Sequence, residues 1–178
     1  MGAMLRWALV GILLSVSLLG AIAARAVSRV GVHEGYAPTQ PIEFSHKIHA
    51  GDNKVPCLYC HYGAMQSRHA GIPAASLCMN CHGLLQKETA ELQKLRETIQ
   101  LQRPVSWIKV HNLPDFVYFN HSQHVQANVA CQTCHGPIES MARVRQEAPL
   151  TMGWCLDCHK QKGVGSKETG TDCIRCHY

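Results

Sequence analysis

Aromatic side chains are scarce in this 178-residue chain, where Phe, Tyr and Trp together make 6%. No stretch interleaves aromatics with clustered Lys and Arg, so the pattern of a nucleic-acid module is missing and no nucleic acid is expected as a partner. A long apolar run near the N-terminus contains no Asp, Glu or His, and therefore nothing that could carry protons inside a membrane. No Cys stands near that run, which excludes a lipoprotein signal. Nor is any cysteine left over, because all ten fall within one recurring phrase.

That phrase is Cys-x-x-Cys-His, and it occurs five times: Cys57–Cys60–His61, Cys78–Cys81–His82, Cys131–Cys134–His135, Cys155–Cys158–His159 and Cys173–Cys176–His177. It is the attachment signature of c-type heme. Two thiols three positions apart can form thioethers to the two vinyl groups of one porphyrin, and the adjacent His reaches the iron as proximal ligand. Zinc sites, redox dithiols and disulfides of exported proteins also use Cys-x-x-Cys, but none needs a His after every second Cys. His fills 12 of 178 positions, so chance would place it at all five with a probability of roughly one in a million. Five covalently bound heme c groups are expected.

The cofactor count bounds the fold. About 150 residues lie beyond the apolar run, or about 30 per heme, too few for a broad hydrophobic core. The hemes must supply most of the buried apolar surface. The expected fold is a small, mostly α and irregular multiheme cytochrome c with a heme-packed core, behind one N-terminal transmembrane helix. Chain without heme should not fold, as small metal domains unfold without metal. The formal charge of +5 is offset by two propionates per heme against one net positive charge per ferric bis-His centre, leaving the oxidised holoprotein about neutral. Part of the Lys and Arg excess is therefore read as pairing with propionates.

Trp7 to Ala24 are 18 consecutive uncharged, mostly apolar positions, flanked by Arg6, Arg25 and Arg29. A cleaved signal peptide fits, with small-x-small sites at Ala21-Ile22-Ala23 and Ala24-Arg25-Ala26. An uncleaved anchor fits as well, near the lower length limit for a span. The chain begins at Met1 with the segment retained, so a single-pass signal anchor over 1–29 is expected. Flanking charge does not orient it, since Arg25 and Arg29 outnumber Arg6. Heme attachment on the oxidising side does: the N-terminus faces the cytoplasm and the heme domain, 30–178, lies on the periplasmic side of the inner membrane.

Ahead of the first motif stands Phe44-Ser-His46-Lys-Ile-His49, and ahead of the third stands Phe119-Asn-His121-Ser-Gln-His124. Each is followed by two Cys-x-x-Cys-His phrases. The domain thus reads as two two-heme units, about 42–83 and 117–160, a helical connector over 84–116, and a fifth heme in 161–178. Two His at i and i+3 share one side of a helical turn but diverge enough for each to meet a different heme. Within the connector, Gly83 to Gln102 reads as a helix, with Leu85, Leu92, Leu95 and Ile99 near helical spacing.

Five irons need five distal ligands. The seven His outside the motifs are His33, His46, His49, His69, His111, His121 and His124. His46, His49, His121 and His124 are the first choices, His111 is the fifth, and His69 and Met152 are further candidates. His33 reads as a solvent or interface residue. Supply exceeds need, so every iron is expected to be six-coordinate and to pass electrons rather than transform a substrate. A Met152 ligand would give its heme a higher potential than a His/His site. No motif is altered in the manner of a catalytic multiheme reductase.

The two Phe-x-His-x-x-His phrases resemble class III multiheme cytochromes c. That resemblance implies that His46 ligates the Cys57/Cys60 heme and His121 the Cys131/Cys134 heme, while His49 and His124 serve other hemes. Over nearly the whole chain, the N-terminal helix, the five motifs, Ala70-Gly-Ile-Pro-Ala before Cys78, and Met152-Gly-Trp-Cys155-Leu-Asp-Cys158-His159 are similar to the pentaheme subunit of alternative complex III. The implied partners are an iron–sulfur subunit, integral membrane quinol-binding subunits, a monoheme cytochrome c subunit, and a soluble cytochrome c or copper protein, or an oxidase, as acceptor.

The leading expectation is an electron-transfer subunit of a quinol-oxidising respiratory or photosynthetic complex, not catalytic alone. A stand-alone membrane-anchored quinol dehydrogenase feeding a periplasmic reductase is the alternative, and it would need a five-coordinate heme at the membrane surface. A reductase of small nitrogen or sulfur oxyanions ranks third.

Overall fold

A computed structural model describes residues 2–85, 87–163 and 171–178, in two units, Met1–Val32 and His33–Tyr178. The first unit is one 26-residue helix, α1 (Gly2–Val27), with a mean hydropathy of 2.2 over its most apolar window. At 1.5 Å rise per residue it is roughly 39 Å long, enough to cross a hydrocarbon core of about 30 Å. Its polar side chains are few, and Ser15 turns its hydroxyl back onto the carbonyl of Gly11 at 2.9 Å, which removes an unsatisfied donor from the apolar face. Beyond Val27 the chain turns through Gly31, held at φ 78°, a left-handed backbone that suits glycine.

The second unit holds α2 (Cys57–Cys60), α3 (Ala75–His82), α4 (Ala90–Gln100), α5 (His121–Gln126), α6 (Gln132–His135) and α7 (Met152–Gln161), with a π-helix over Lys47–Asp52 and short 3₁₀ turns between. No strand occurs among the described residues. Among the described residues, Ala64, Leu95, Met141 and Ala148 are the buried apolar side chains, far fewer than a domain of this length needs to offset its chain entropy. The mostly helical and irregular architecture expected from 30 residues per heme is the one observed.

Each Cys-x-x-Cys-His sits on helical turn. In three of them the His amide donates to the carbonyl of the first Cys: His61 to Cys57 at 2.9 Å, His135 to Cys131 at 3.0 Å and His177 to Cys173 at 2.9 Å. That bond places both sulfurs on one side of the turn and the imidazole just beyond them. The longer α3 and α7 carry the second and fourth motifs.

The connector helix is shorter than its leucine spacing predicts. α4 begins at Ala90 because Thr89 caps it: its backbone is extended (φ −138°, ψ 159°) and its hydroxyl accepts from Leu92 N–H at 3.2 Å. Such a cap stops the helix from propagating toward Gly83. Leu95 is buried while Leu85 is 53% exposed, so Leu85 is outside the packed stripe. The rest of the connector is pinned by side chains. Gln40 donates to the Ile108 carbonyl at 2.9 Å and accepts from its N–H at 2.8 Å, and Gln146 accepts from Asn112 N–H at 2.9 Å.

The two repeat units embrace each other. The π-helix of the first repeat packs on Ile138–Ser140, just after the third motif, and α5 of the second repeat packs on Tyr62–Met65, just after the first. Each His-x-x-His segment is thereby braced by the chain that follows the other unit's leading motif.

Candidate heme centres

The histidines of the two repeats meet the histidines of the motifs in four pairs. His46 and His61 lie 6.2 Å apart between ring centres, with planes 8° apart. His121 and His135, their counterparts, are 6.4 Å and 9°. His49 meets His82 at 5.9 Å and 60°, and His124 meets His159 at 6.0 Å and 36°. With a metal–nitrogen bond of about 2 Å on each side, two imidazoles sharing one iron stand about 6 Å apart centre to centre. Every pair joins one repeat histidine to one motif histidine, and within each repeat the two histidines go to different motifs.

The rings are held by what lies behind them. Phe44 packs edge-on to His46 at 4.9 Å and lies at 4.2 Å from His49. Phe119 repeats this with His121 at 4.8 Å and His124 at 4.4 Å. The Nδ1–H of His49 donates to Ser45 O at 2.8 Å, that of His124 to Asn120 O at 2.9 Å, and that of His121 to Arg68 O at 2.7 Å. Among the motif histidines, His61 donates to Gly71 O at 2.7 Å and His177 to Phe116 O at 2.9 Å. A carbonyl on Nδ1 fixes the tautomer and leaves Nε2 free to bind metal.

Burial favours the neutral form of three of the paired rings. His46 is held down to about 4, first by burial and then by His61, His49 and His111. His135 is likewise held at about 4, by burial and by His111, His121, His61 and His46. His82 is lowered by burial, His49 and Arg96. A neutral imidazole is the form that donates electrons to iron.

The thiols trace how the motifs adjoin. Burial raises Cys60, and the next causes are Cys78 and Cys81. Cys131 is raised by burial and by Cys57, with which it shares a side-chain hydrogen bond. Burial, then Cys155 and Cys158, push Cys134 up to about 11. Cys155 is raised by burial and by Cys176. Adjacency therefore runs from the second motif to the first, then the third, fourth and fifth. Tyr59 Oη accepts from Asn80 Nδ2 at 3.2 Å across the first link of that series.

The remaining candidates are placed differently. His111 has its Nε2 3.1 Å from Nδ1 of His135, the rings 4.4 Å apart and 81° inclined. His177 faces Phe116 at 5.7 Å. His69 is exposed, Met152 is 61% exposed at the start of α7, and His33 lies edge-on to Tyr36 at 5.8 Å. Sequence reasoning missed three residues. Arg68 lies over Tyr118 at 5.1 Å and Tyr178 at 5.3 Å. Arg96 pairs with Glu88 at 2.9 Å, and both arginines hold a buried Nε with no hydrogen-bond partner among the described residues. Gln146 is wholly buried. None sits in a recurring phrase, so nothing in the chain's pattern marks it.

Residues 117–178, the second unit with the fifth motif, match the family described as cytochrome c7 and related cytochrome c. A menaquinone reductase multiheme cytochrome c subunit of Nitratidesulfovibrio vulgaris is 28% identical over 160 residues, covering 78% of this chain and 76% of that protein. The chain carries a multiheme cytochrome c domain. Heme c bound covalently through Cys-x-x-Cys-His belongs to that identity, and the residues fit it on three counts. Repeat and motif histidines stand one iron apart, the polypeptide buries little apolar surface of its own, and Arg68 and Arg96 offer unpaired buried donors of the kind that carboxylates accept. The cytochrome domain transfers electrons, and α1 is the segment suited to anchor it.

Proposed function

We propose that this protein is a membrane-anchored pentaheme relay within a quinone-linked complex, with its heme domain on the periplasmic side of the inner membrane and α1 as its single pass. Heme c, when bound, supplies one-electron chemistry at iron. The polypeptide attaches it through Cys57 and Cys60, Cys78 and Cys81, Cys131 and Cys134, Cys155 and Cys158, and Cys173 and Cys176. His61, His82, His135, His159 and His177 are the proximal ligands. His46 is distal to His61, His49 to His82, His121 to His135 and His124 to His159. The carbonyls of Ser45, Asn120, Arg68, Gly71 and Phe116 orient His49, His124, His121, His61 and His177, and Arg68 and Arg96 hold propionates.

The observation that carries this reading is the set of four pairs near 6 Å, each between a repeat and a motif histidine. Two histidines at each of these four motifs would leave no place there for a substrate, which suits a relay; the fifth motif, at His177, is outside the four pairs. The adjacency of the motifs, in the order second, first, third, fourth, fifth, gives the path two ends, one at Cys78–His82 and one at Cys173–His177.

The complex is read from likeness. The relative in Nitratidesulfovibrio vulgaris is by its name a menaquinone reductase subunit, which supports a quinone-linked partner. The resemblance to alternative complex III points more finely to an iron–sulfur subunit as donor, integral membrane quinol-binding subunits and a monoheme cytochrome c subunit as neighbours, and a soluble cytochrome c or copper protein as acceptor. Purification in mild detergent tests this. Co-purifying iron–sulfur and polytopic subunits, with low-spin ferric signals from the four paired centres, are expected. A lone chain with a strong high-spin signal would instead indicate a stand-alone quinol dehydrogenase.

A further inference from the structure

The first and third motifs are equivalent by the internal repeat, and their centres adjoin through Cys57 and Cys131. Their axial pairs are near copies, His46 with His61 at 6.2 Å and 8°, His121 with His135 at 6.4 Å and 9°. Two identical neighbouring centres would have equal potentials. The symmetry breaks at Nδ1 of both rings: that of His121 donates to Arg68 O at 2.7 Å while that of His46 is buried with no partner among the described residues, and the motif histidines differ too. Nδ1 of His61 meets a backbone carbonyl, Gly71 O, at 2.7 Å, whereas Nδ1 of His135 meets Nε2 of His111 at 3.1 Å. We propose that His111 is a positioning residue that accepts the Nδ1–H of His135 and thereby lowers the reduction potential of the third-motif heme below that of its first-motif counterpart.

The chemistry follows from acceptor strength. With Nε2 of His135 on iron, its Nδ1 carries the proton and donates to His111. An imidazole nitrogen is a far more basic acceptor than an amide oxygen, so it draws the shared proton further from His135. The ligand becomes more electron-rich and stabilises ferric over ferrous iron, as second-shell partners of metal-bound histidine do.

His111 is held in place to do this. The next residue, Asn112, donates its N–H to Oε1 of Gln146 at 2.9 Å. Gln146 is fixed in turn on all its polar groups: its N–H donates to Tyr36 O at 3.0 Å, its carbonyl accepts from Gly35 at 2.7 Å, and Nε2 donates to Ala148 O at 3.0 Å. Gln40 grips Ile108 upstream. The acceptor thus rides on a segment clamped at both ends.

The inference rests on His135 being an iron ligand, and the experiment separates the two. Full-length holoprotein in detergent would be titrated potentiometrically with heme spectra as readout, for wild type, His111→Leu, His111→Gln and His135→Ala. For His111→Leu we expect every heme to stay covalently bound and no low-spin centre to be lost. At a fixed ambient potential the reduced-to-oxidised ratio of one centre should rise at least threefold while the others hold. In His111→Gln, whose side-chain carbonyl can still accept, the shift should be smaller. Unchanged potentials in His111→Leu would overturn the role. A new high-spin centre in His111→Leu would also overturn it, by making His111 itself an axial ligand. Should His111→Leu fail to accumulate, a His111→Gln potential equal to wild type would count against the proposal, and an upward shift for it. His135→Ala tests the underlying reading separately: loss of one low-spin centre supports it, and an unaltered low-spin count removes it.

Discussion

The backbone N–H of Lys47 donates to the carbonyl of Met141 at 2.9 Å, and at the matching position of the other unit Ser122 donates to Ser67 at 3.2 Å. The two bonds are one contact made twice, in opposite directions. An approximate two-fold relation between the repeats follows, with the first and third motifs beside its axis. The second and fourth motifs lie further out, and the fifth adjoins the fourth, which is why the order of motifs in space departs from their order in the chain.

Gly51 marks where the embrace is tightest. A Cβ there would run into the Glu139 carbonyl, so Gly51→Val must push the π-helix away from Ile138–Ser140. Overpacking of this kind costs about 1–3 kcal/mol. We expect chemical denaturation at lower denaturant with an unchanged covalent heme count. Gly153→Ala in α7, where a Cβ meets nothing within 4 Å, is the control and should be neutral or slightly stabilising.

Removing the repeat histidines one at a time should expose the pairing. His46→Ala, His49→Ala, His121→Ala and His124→Ala should each convert one low-spin ferric centre to high-spin, read by electron paramagnetic resonance. Every covalent heme should remain, since the thioethers are untouched. The double variant His46→Ala/His49→Ala should lose two low-spin centres. If the double loses only one, both histidines of a repeat serve the same iron and the four-pair scheme fails.

Much of this was legible in the chain. The motif phrases point to the proposed attachment residues, and the Phe-x-His-x-x-His repeats mark the histidines that the structure sets opposite the motif rings. Helical turns under the motifs follow from the spacing of the two thiols. Long-range placement was not legible. His111 reads in the chain as the fifth distal candidate, and its approach to His135, beside the Asn112 that Gln146 holds, shows only in the structure. The leucines at 85, 92, 95 and 99 keep helical period, yet Thr89 cuts the helix short through one local hydrogen bond. Reciprocal packing of the units leaves no trace at all, because it depends on backbone groups that every residue shares.

Gln146 carries more of this placement than any other buried polar residue. Its side chain bridges Asn112 N–H and Ala148 O. In Gln146→Leu both groups lose their partner in a buried setting, at about 1–3 kcal/mol each. Stability to denaturant should fall by that order. Because His111 loses its clamp, the potential that shifts in His111→Leu should shift in the same direction, less far. A stability loss with unmoved potentials would show that Gln146 only packs.

The two repeats differ in length by one residue, and the structure shows where it goes. Seven residues separate His49 from Cys57 and six separate His124 from Cys131. The first unit takes up the extra one as the π-helix Lys47–Asp52, with Asn53 N–H reaching back to Ile48 O, where the second unit has the α-helical α5. Both then rejoin in register: Lys54 and Asn128 are left-handed at φ 56° and 57°, and Val55 and Val129 donate to His49 and His124, each at 3.0 Å. An insertion absorbed as a π-turn is a local strain that deletion relieves. Deleting Asp52 should therefore give a tighter α-helical turn like α5. The exposed Lys47–Asp52 pair at 3.2 Å would go with it, a loss of about 0–1 kcal/mol. The variant should keep its full heme count and its low-spin spectrum, because His46 and His49 precede the deletion and Phe44 still backs both rings. Loss of one low-spin centre would instead mean that the π-turn is needed to bring His49 onto His82.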